Sequence, residues 1–410
     1  MAELKNLITG LDVGTTKIAT VIARPISDNI VEIIGVGTSK SEGLKAGTVV
    51  NLNDTVASIK TSVALAERIA GVKVEEVYVG ISGKHIKTIE SEGTVSINSP
   101  EKIISEKDVE KVLDNTMFNQ PGEILHIIPR EFIIDKVTQV KNPVGMIGNF
   151  LQVKASIVKG ELNDVQNMIR CVELAGLKVK DLVLQSLASS YSVLDNNEKE
   201  LGVILIDIGG GTTDTAIFYN GALRSTYIVP YGGENITIDI AKVVKTTKEA
   251  AEEIKLNYGV AMKKLIKDEN AKVTIPGISG REPFTVPQSF ISEIIHQRLR
   301  EILEFVYREV KANENIELLS SGIVLTGGTA KMKGIAQLAE EIFGTYVKIG
   351  IPERDISGLK DSVHSPAFAT SVGLVKYAMA HPQEKEYKES RNMKKIVETM
   401  KKWFKEFFTT

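Results

Sequence analysis

One short pattern occurs twice in this chain and limits what it can fold into more than any other feature. Near the N-terminus an apolar run ends in Asp12-Val13-Gly14-Thr15-Thr16-Lys17, and a second apolar run follows at once. Far downstream, the apolar stretch 202–208 carries Asp207 and leads into Gly209-Gly210-Gly211-Thr212-Thr213-Asp214, then residues 215–219, an Asn220-Gly221 turn and the stretch 223–229. Each copy reads as a strand, an Asp near its end, a turn of Gly and Thr, and a returning strand. A supersecondary unit used twice predicts a duplicated architecture.

The turn composition has a chemical meaning. Glycine lets backbone N–H groups come close to an anion, and threonine hydroxyls add donors, so such a hairpin can wrap a polyphosphate. Two of them can grip one phosphate chain from opposite sides, with Asp12 and Asp207 reaching Mg²⁺ through water. Residues 322–331 (Gly-Ile-Val-Leu-Thr-Gly-Gly-Thr-Ala-Lys) add a strand that ends in a Gly pair and opens a helix. Gly327 and Gly328 there admit a flat base or ribose against the backbone.

Elsewhere β-branched apolar runs alternate with helical patterns, the mark of an α/β protein. Strands are expected at 6–13, 17–24, 30–37 and 76–81. A helix is expected at 53–70, with Asp54 beside its start and Ile59, Val63 and Ile69 on its apolar positions. From 85 to 165 the texture changes: extended segments near 124–135 and 149–158 surround the loop Asn142-Pro143-Val144-Gly145-Met146, as in an inserted α+β module. The earlier pattern resumes with a helix at 161–175, a strand at 178–184 and a helix at 185–195. The domain plan is a first lobe at 1–84 and 166–199, the insertion at 85–165, and a second lobe at 200–230 and 310–363. An accessory subdomain covers 231–309, and 364–380 returns to the first lobe with Gly373 at the crossing.

Bulk numbers exclude several classes. Hydrophobic residues make up 43% and charged residues 25%, an ordinary globular balance, and the net charge of -2 offers no case for nucleic acid as a partner. Cys171 is the single cysteine, which excludes an intramolecular disulfide and reads as a small buried hydrophobe. No secretory pattern opens the chain, and no apolar run approaches the ~18 residues that span a bilayer, so a cytosolic protein is expected unless something lays it on a surface.

The C-terminal tail supplies that something. After a polar linker at 381–392, apolar residues fall at Met393, Ile396, Val397, Met400, Trp403, Phe404, Phe407 and Phe408. At helical spacing they fill a sector of roughly 140°. Lys394, Lys395, Lys401, Lys402 and Lys405 line the other side, offset only by Glu398 and Glu406. An amphipathic helix at 393–408, with its aromatic residues at the far end, suits docking on anionic lipid.

The phosphate turns and the Leu325–Ala330 segment together resemble the actin, Hsp70 and hexokinase superfamily. The resemblance implies a duplicated actin-like (ribonuclease H-like) ATPase fold of two lobes. The loop Ser41-Glu42-Gly43-Leu44-Lys45-Ala46-Gly47, the insertion, the segment Gly232-Gly233-Glu234-Asn235-Ile236-Thr237 and the tail narrow it to the FtsA family of bacterial cell-division proteins, over nearly the whole chain. That resemblance implies ATP and Mg²⁺ as cofactors. Asp12 and Asp207 would hold the metal environment; Gly14, Thr15, Thr16 and Lys17 the phosphates on one side; Gly209, Gly210, Gly211, Thr212 and Thr213 the other. Gly327, Gly328 and Thr329 would face the adenosine. Glu252 and Lys255, three apart on one helix face, would bracket the adenine and ribose. Gln185 opens the helix that in the superfamily carries the residue orienting the attacking water. The family has Pro after this Gln, whereas this chain has Ser186.

A neutral amide positions water but is a poor base, so slow hydrolysis is expected and ATP reads as a ligand for assembly. The implied role is an anchor that polymerises, lies on the cytoplasmic face of the membrane at the division septum, and tethers FtsZ by its C-terminal tail. Arg300 and Glu301, within 231–309, are candidate contacts, and other division proteins are implied partners. Two further readings share the fold: a pilus-assembly actin-like protein, which would not need the tail, and a small-molecule kinase, for which no segment clearly supplies a catalytic Asp and substrate pocket.

Overall fold

The computed structural model describes residues 7–117, 122–278, 280–314 and 316–381. Strands Ile8–Val13, Lys17–Pro25 and Val31–Lys40 form an antiparallel meander. Glu76–Ile81 and Lys178–Leu184 continue the sheet in parallel beyond the first strand. These strands are apolar on both faces because helices cover both. Alternation along the second strand shows it: Thr20 bonds to Ser62 of the helix Leu52–Ala70, whereas Val21 packs with Val372 and Val375 of the helix Ala369–Ala380.

The second sheet repeats this order. Ala222–Val229, Thr213–Tyr219 and Val203–Ile208 form the meander, and Ile323–Thr326 and Val347–Ile349 extend it in parallel. Both sheets therefore run third, second, first, fourth, fifth; the first also gains Ile356–Gly358 at its meander edge. Register places the two acidic residues alike. Asp12 lies opposite Ala19 and beside Gly80, and Asp207 lies opposite Asp214 and beside Thr326, each one residue before its strand ends.

The insertion has its own antiparallel sheet, in the order Ile86–Ser96, Phe150–Gly160, Glu123–Ile134 and Thr138–Val140. The helix Glu106–Thr116 covers it, and Ile97, Val112, Phe132 and Leu151 belong to a core separate from those of the lobes. The Asn142–Met146 loop is tied back by Ile104, which accepts from the Gly145 amide and donates to the Met146 carbonyl. The insertion rests on the second sheet through Ser156, whose hydroxyl donates to the Arg224 carbonyl at 2.6 Å. Helices Gly233–Val244, Lys248–Tyr258 and Gln288–Asn313 and a small hairpin build the accessory part of the second lobe.

Some expectations need correction. Ile69 is 55% exposed rather than part of the apolar face; Asp54 stands in the first turn as expected, and Asn51 caps that helix by accepting from the Asn53 and Asp54 amides. After Gly327 the chain makes only the short 3-10 turn Gly328–Lys331, and the helix proper is Ile335–Phe343. Cys171 is fully buried. No helix among the described residues is long and apolar enough to cross a membrane. The helix expected at 393–408, and the linker before it except His381, lie outside the described residues.

Helix Ala369–Ala380 crosses Gln185–Val193 so closely that a Cβ on Gly373 would sit 2.0 Å from the Ala188 carbonyl oxygen. The clash is with backbone, which cannot rotate away. Gly373→Ala is expected to destabilise the protein by about 1–3 kcal/mol, read as an earlier midpoint in chemical denaturation.

Candidate functional site

The two Gly/Thr turns, set at matching ends of their sheets, meet face to face. A Cβ on Gly210 would lie 2.3 Å from Thr16 Oγ1, and one on Gly211 would lie 2.5 Å from Thr15 Oγ1. Only glycine allows that approach. The carbonyls of the second turn are drawn backwards: Gly209 O accepts from the Gly233 amide at 2.9 Å and the Thr329 hydroxyl at 3.0 Å, and Gly210 O accepts from the Glu234 amide at 2.8 Å. In the first turn, Thr16 O accepts from the Ser41 amide and Gly14 donates to Lys17 O, both at 3.1 Å. The amides of Thr15, Thr16, Gly210 and Gly211 make no bond to the protein among the described residues. Amide donors left over between two turns are what a polyphosphate requires.

Three carboxylates are buried behind these turns, each held by neutral donors. Gln185 Nε2 donates to Asp12 at 3.0 Å. Ser189 and Thr370 donate to Asp207 Oδ2 at 2.7 and 3.3 Å. Asp214 accepts from Ser82 of the first lobe, and from Thr212 at 2.8 Å. Burial raises the Asp12 pKa to about 7, with Lys17 pulling it back and Asp207 adding to the rise. Asp214 also reaches about 7, chiefly by burial, against the hydrogen bonds from Ser82 and Thr212. Asp207 is raised by burial too. Lys17 is pulled down by burial and up by Asp12 and Asp207; its ammonium donates to the Ala367 carbonyl and lies 4.2 Å from the centre of the Phe368 ring.

The residues expected to face the adenosine converge on the same turn. Gly327 has φ +88, and a Cβ on it would lie 2.4 Å from Asp207 Oδ1. Gly328 faces open space. Lys255 pairs with Glu252 at 2.7 Å and donates to Gly233 O at 3.1 Å and Thr237 Oγ1 at 2.9 Å. Lys255 is buried and fastened beside the second turn, whereas Glu252 keeps 43% of its side chain exposed. Arg300 and Glu301 are engaged on the long helix itself, Arg300 with Glu304 and Glu301 with Arg298.

One expected donor is turned away. Thr213 pairs with Ile208, one step out of phase with Asp207 and Asp214, so its hydroxyl points to the opposite face and donates to Tyr231 O at 2.8 Å. Only its backbone remains for the cleft. Ser82, Ser189, Asp214 and Thr370 escaped sequence reasoning. Asp214 stood in the repeated motif, and Ser189 lies one helical turn after Gln185; nothing local marks Ser82 or Thr370.

The donor set fits a magnesium–nucleotide complex. No group of three or more His, Cys, Asp or Glu among the described residues could enclose a metal ion. Asp12 and Asp207 are the residues that would hold a Mg²⁺ ion, through its waters.

Comparisons with known proteins agree with this layout. The family described as "Cell division protein FtsA" matches residues 204–373, and "SHS2 domain inserted in FTSA" matches residues 83–159. The chain is 37% identical to the cell division protein FtsA of Pseudomonas aeruginosa, over 98% of this chain and 99% of that one. It is 38% identical to the FtsA proteins of Escherichia coli K12 and Bacillus subtilis, each over 91% of this chain, and over 90% and 83% of theirs. Among solved structures, the PilM-PilN type IV pilus biogenesis complex matches with TM-score 0.65 at 17% identity, covering 92% of this chain and 99% of that one. MreB5 of Spiroplasma citri bound to ADP matches with TM-score 0.57 at 14% identity, covering 91% and 96%. At such identities these two establish the actin-like fold.

The raised carboxylates set a pH dependence. Asp12 and Asp214 bind protons more tightly folded than unfolded, so their stabilisation is whole below the ordinary carboxylate range and is lost as pH climbs through 7. Nucleotide-free protein should lose stability from this source between about pH 4 and pH 7 and level off above that. Asp214→Asn should remove a few kcal/mol of that decline, at about 1.4 kcal/mol per pH unit, measured as the difference between wild-type and variant unfolding free energies at the two pH values.

Proposed function

Because the chain belongs to the FtsA family of cell division proteins, we propose that it is a nucleotide-binding anchor that assembles on the membrane and tethers the division machinery to it. The observation that carries this reading is the pair of turns with unused amides facing each other over three buried carboxylates. ATP with Mg²⁺ fits there. Lys17 and the turn amides would hold its phosphates, and Gly327, Gly328, Thr329, Glu252 and Lys255 would line the adenosine side. Bound Mg²⁺ would neutralise phosphate charge, and Asp12 and Asp207 would orient its waters.

Gln185 is the one residue aimed at water positioning, and its amide is already bonded to Asp12. An amide in that role favours slow turnover, which suits nucleotide as an assembly ligand. Self-association into an actin-like filament is the companion proposal. Its fold-level support is a MamK double helical filament structure, TM-score 0.52 at 12% identity, covering 91% of this chain and 98% of that one.

Membrane docking rests on the amphipathic pattern from Met393 to Phe408, and FtsZ capture through its C-terminal tail is assigned to the accessory subdomain with Arg300 and Glu301 as candidate contacts. A protein with both properties would lie on the cytoplasmic face of the cell membrane at the septum.

Calorimetry on folded protein should detect binding of MgATP; none at all would remove the nucleotide reading. A side chain on Gly328 would project into open cleft, so Gly328→Val should weaken nucleotide binding while the unfolding free energy stays within about 0.5 kcal/mol of wild type. In liposome co-sedimentation with anionic lipid, the full chain should pellet and a 1–390 truncation should stay in the supernatant. Equal pelleting would sink the membrane claim.

A further inference from the structure

Lys17 opens the second strand of the first sheet, and its ammonium crosses to the segment that leads into helix Ala369–Ala380. It donates to the Ala367 carbonyl and sits 4.2 Å from the centre of the Phe368 ring. That segment is itself pinned. The Pro366 carbonyl accepts from the Gly327 amide at 3.1 Å and the Thr326 hydroxyl at 3.3 Å, and the Phe368 amide donates to Ser365 O at 3.0 Å. The ring packs against the cluster of Val21, Ile33 and Val372. Phe368 is thus a fixed aromatic face, tied through Pro366 to the Gly327 turn.

A lysine ammonium has three donors on a flexible stem, and the carboxylates of Asp12 and Asp207 attract it. Without another anchor the side chain would fold onto them, and its charge would be spent before any phosphate arrived. A ring face and a carbonyl hold the ammonium without neutralising it. The carbonyl takes one of its three donors, and the charge stays available to an anion in the cleft.

We propose that Phe368 is a positioning residue that holds the Lys17 ammonium ready for the phosphate chain. This rests on the nucleotide reading above.

The test measures MgATP affinity by calorimetry for wild type and for Phe368→Leu, Phe368→Met and Phe368→Trp, with unfolding midpoints recorded for each. Leu and Met keep apolar bulk but lack a π face; having both guards against one failing to fold. Each should raise Kd about three- to tenfold, and Trp should return it to within about twofold of wild type. In a Lys17→Met background, at concentrations where that variant still titrates, Phe368→Leu should change Kd by less than about twofold. Wild-type affinity in the Leu and Met variants overturns the proposal. So does failure of Trp to restore binding, or an undiminished Leu effect in the Lys17→Met background, since either marks Phe368 as merely structural. Wild type that binds no MgATP defeats the nucleotide reading first, and this one with it.

Discussion

Asp12, Asp207 and Asp214 are buried together, Asp207 raising the pKa of Asp12 and both of these raising that of Asp214, and much of the molecule can be understood as the arrangement that tolerates this. Buried carboxylates persist only where donors surround them. Here the donors come from both lobes: Gln185 and Ser189 from one helix, Thr370 from another, Ser82 from the loop after Glu76–Ile81, and Thr212 from the second turn. One ammonium, from Lys17, offsets part of the charge. A site left acidic in this way is complementary to a cation that arrives with its own anion.

The helix crossing at Gly373 underlies that donor set. Gln185 and Ser189 stand on one helix and Thr370 on the other, so their common aim depends on how closely the two pack. The same returning helix closes the first sheet through Gly10, where a Cβ would meet the Ser371 carbonyl at 2.5 Å. Packing, polar satisfaction and site geometry are therefore one problem in this region. On the far side, the first amides of helix Gly233–Val244 hold the carbonyls of the second turn, and the Glu252–Lys255 pair is fastened to that helix start. The accessory subdomain is thereby joined mechanically to the second Gly/Thr turn.

Most of the architecture was legible beforehand. Among the described residues most of the expected strands and helices appear nearly in place, because period and turn chemistry are local signals, though the Gly327-Gly328 pair opens a 3-10 turn and not a helix. The duplication was legible from two Asp-Gly-Thr motifs alone. The site was legible in outline but not in its side-chain bonds: Thr213 was expected in the cleft, yet the two-residue period of its strand turns it to the other face. Ser82 and Thr370 carried no local mark, since they come to the carboxylates from distant segments.

The chain's own letters determined the paired lobes, the inserted module and the glycine turns, because strand period, helix period and the backbone freedom of glycine act over a few residues at a time. Which hydroxyl meets which carboxylate, how near the two turns approach, and that Phe368 lies over Lys17 were decided only by tertiary structure. Those contacts join positions far apart along the chain, and no local preference specifies the distance between them.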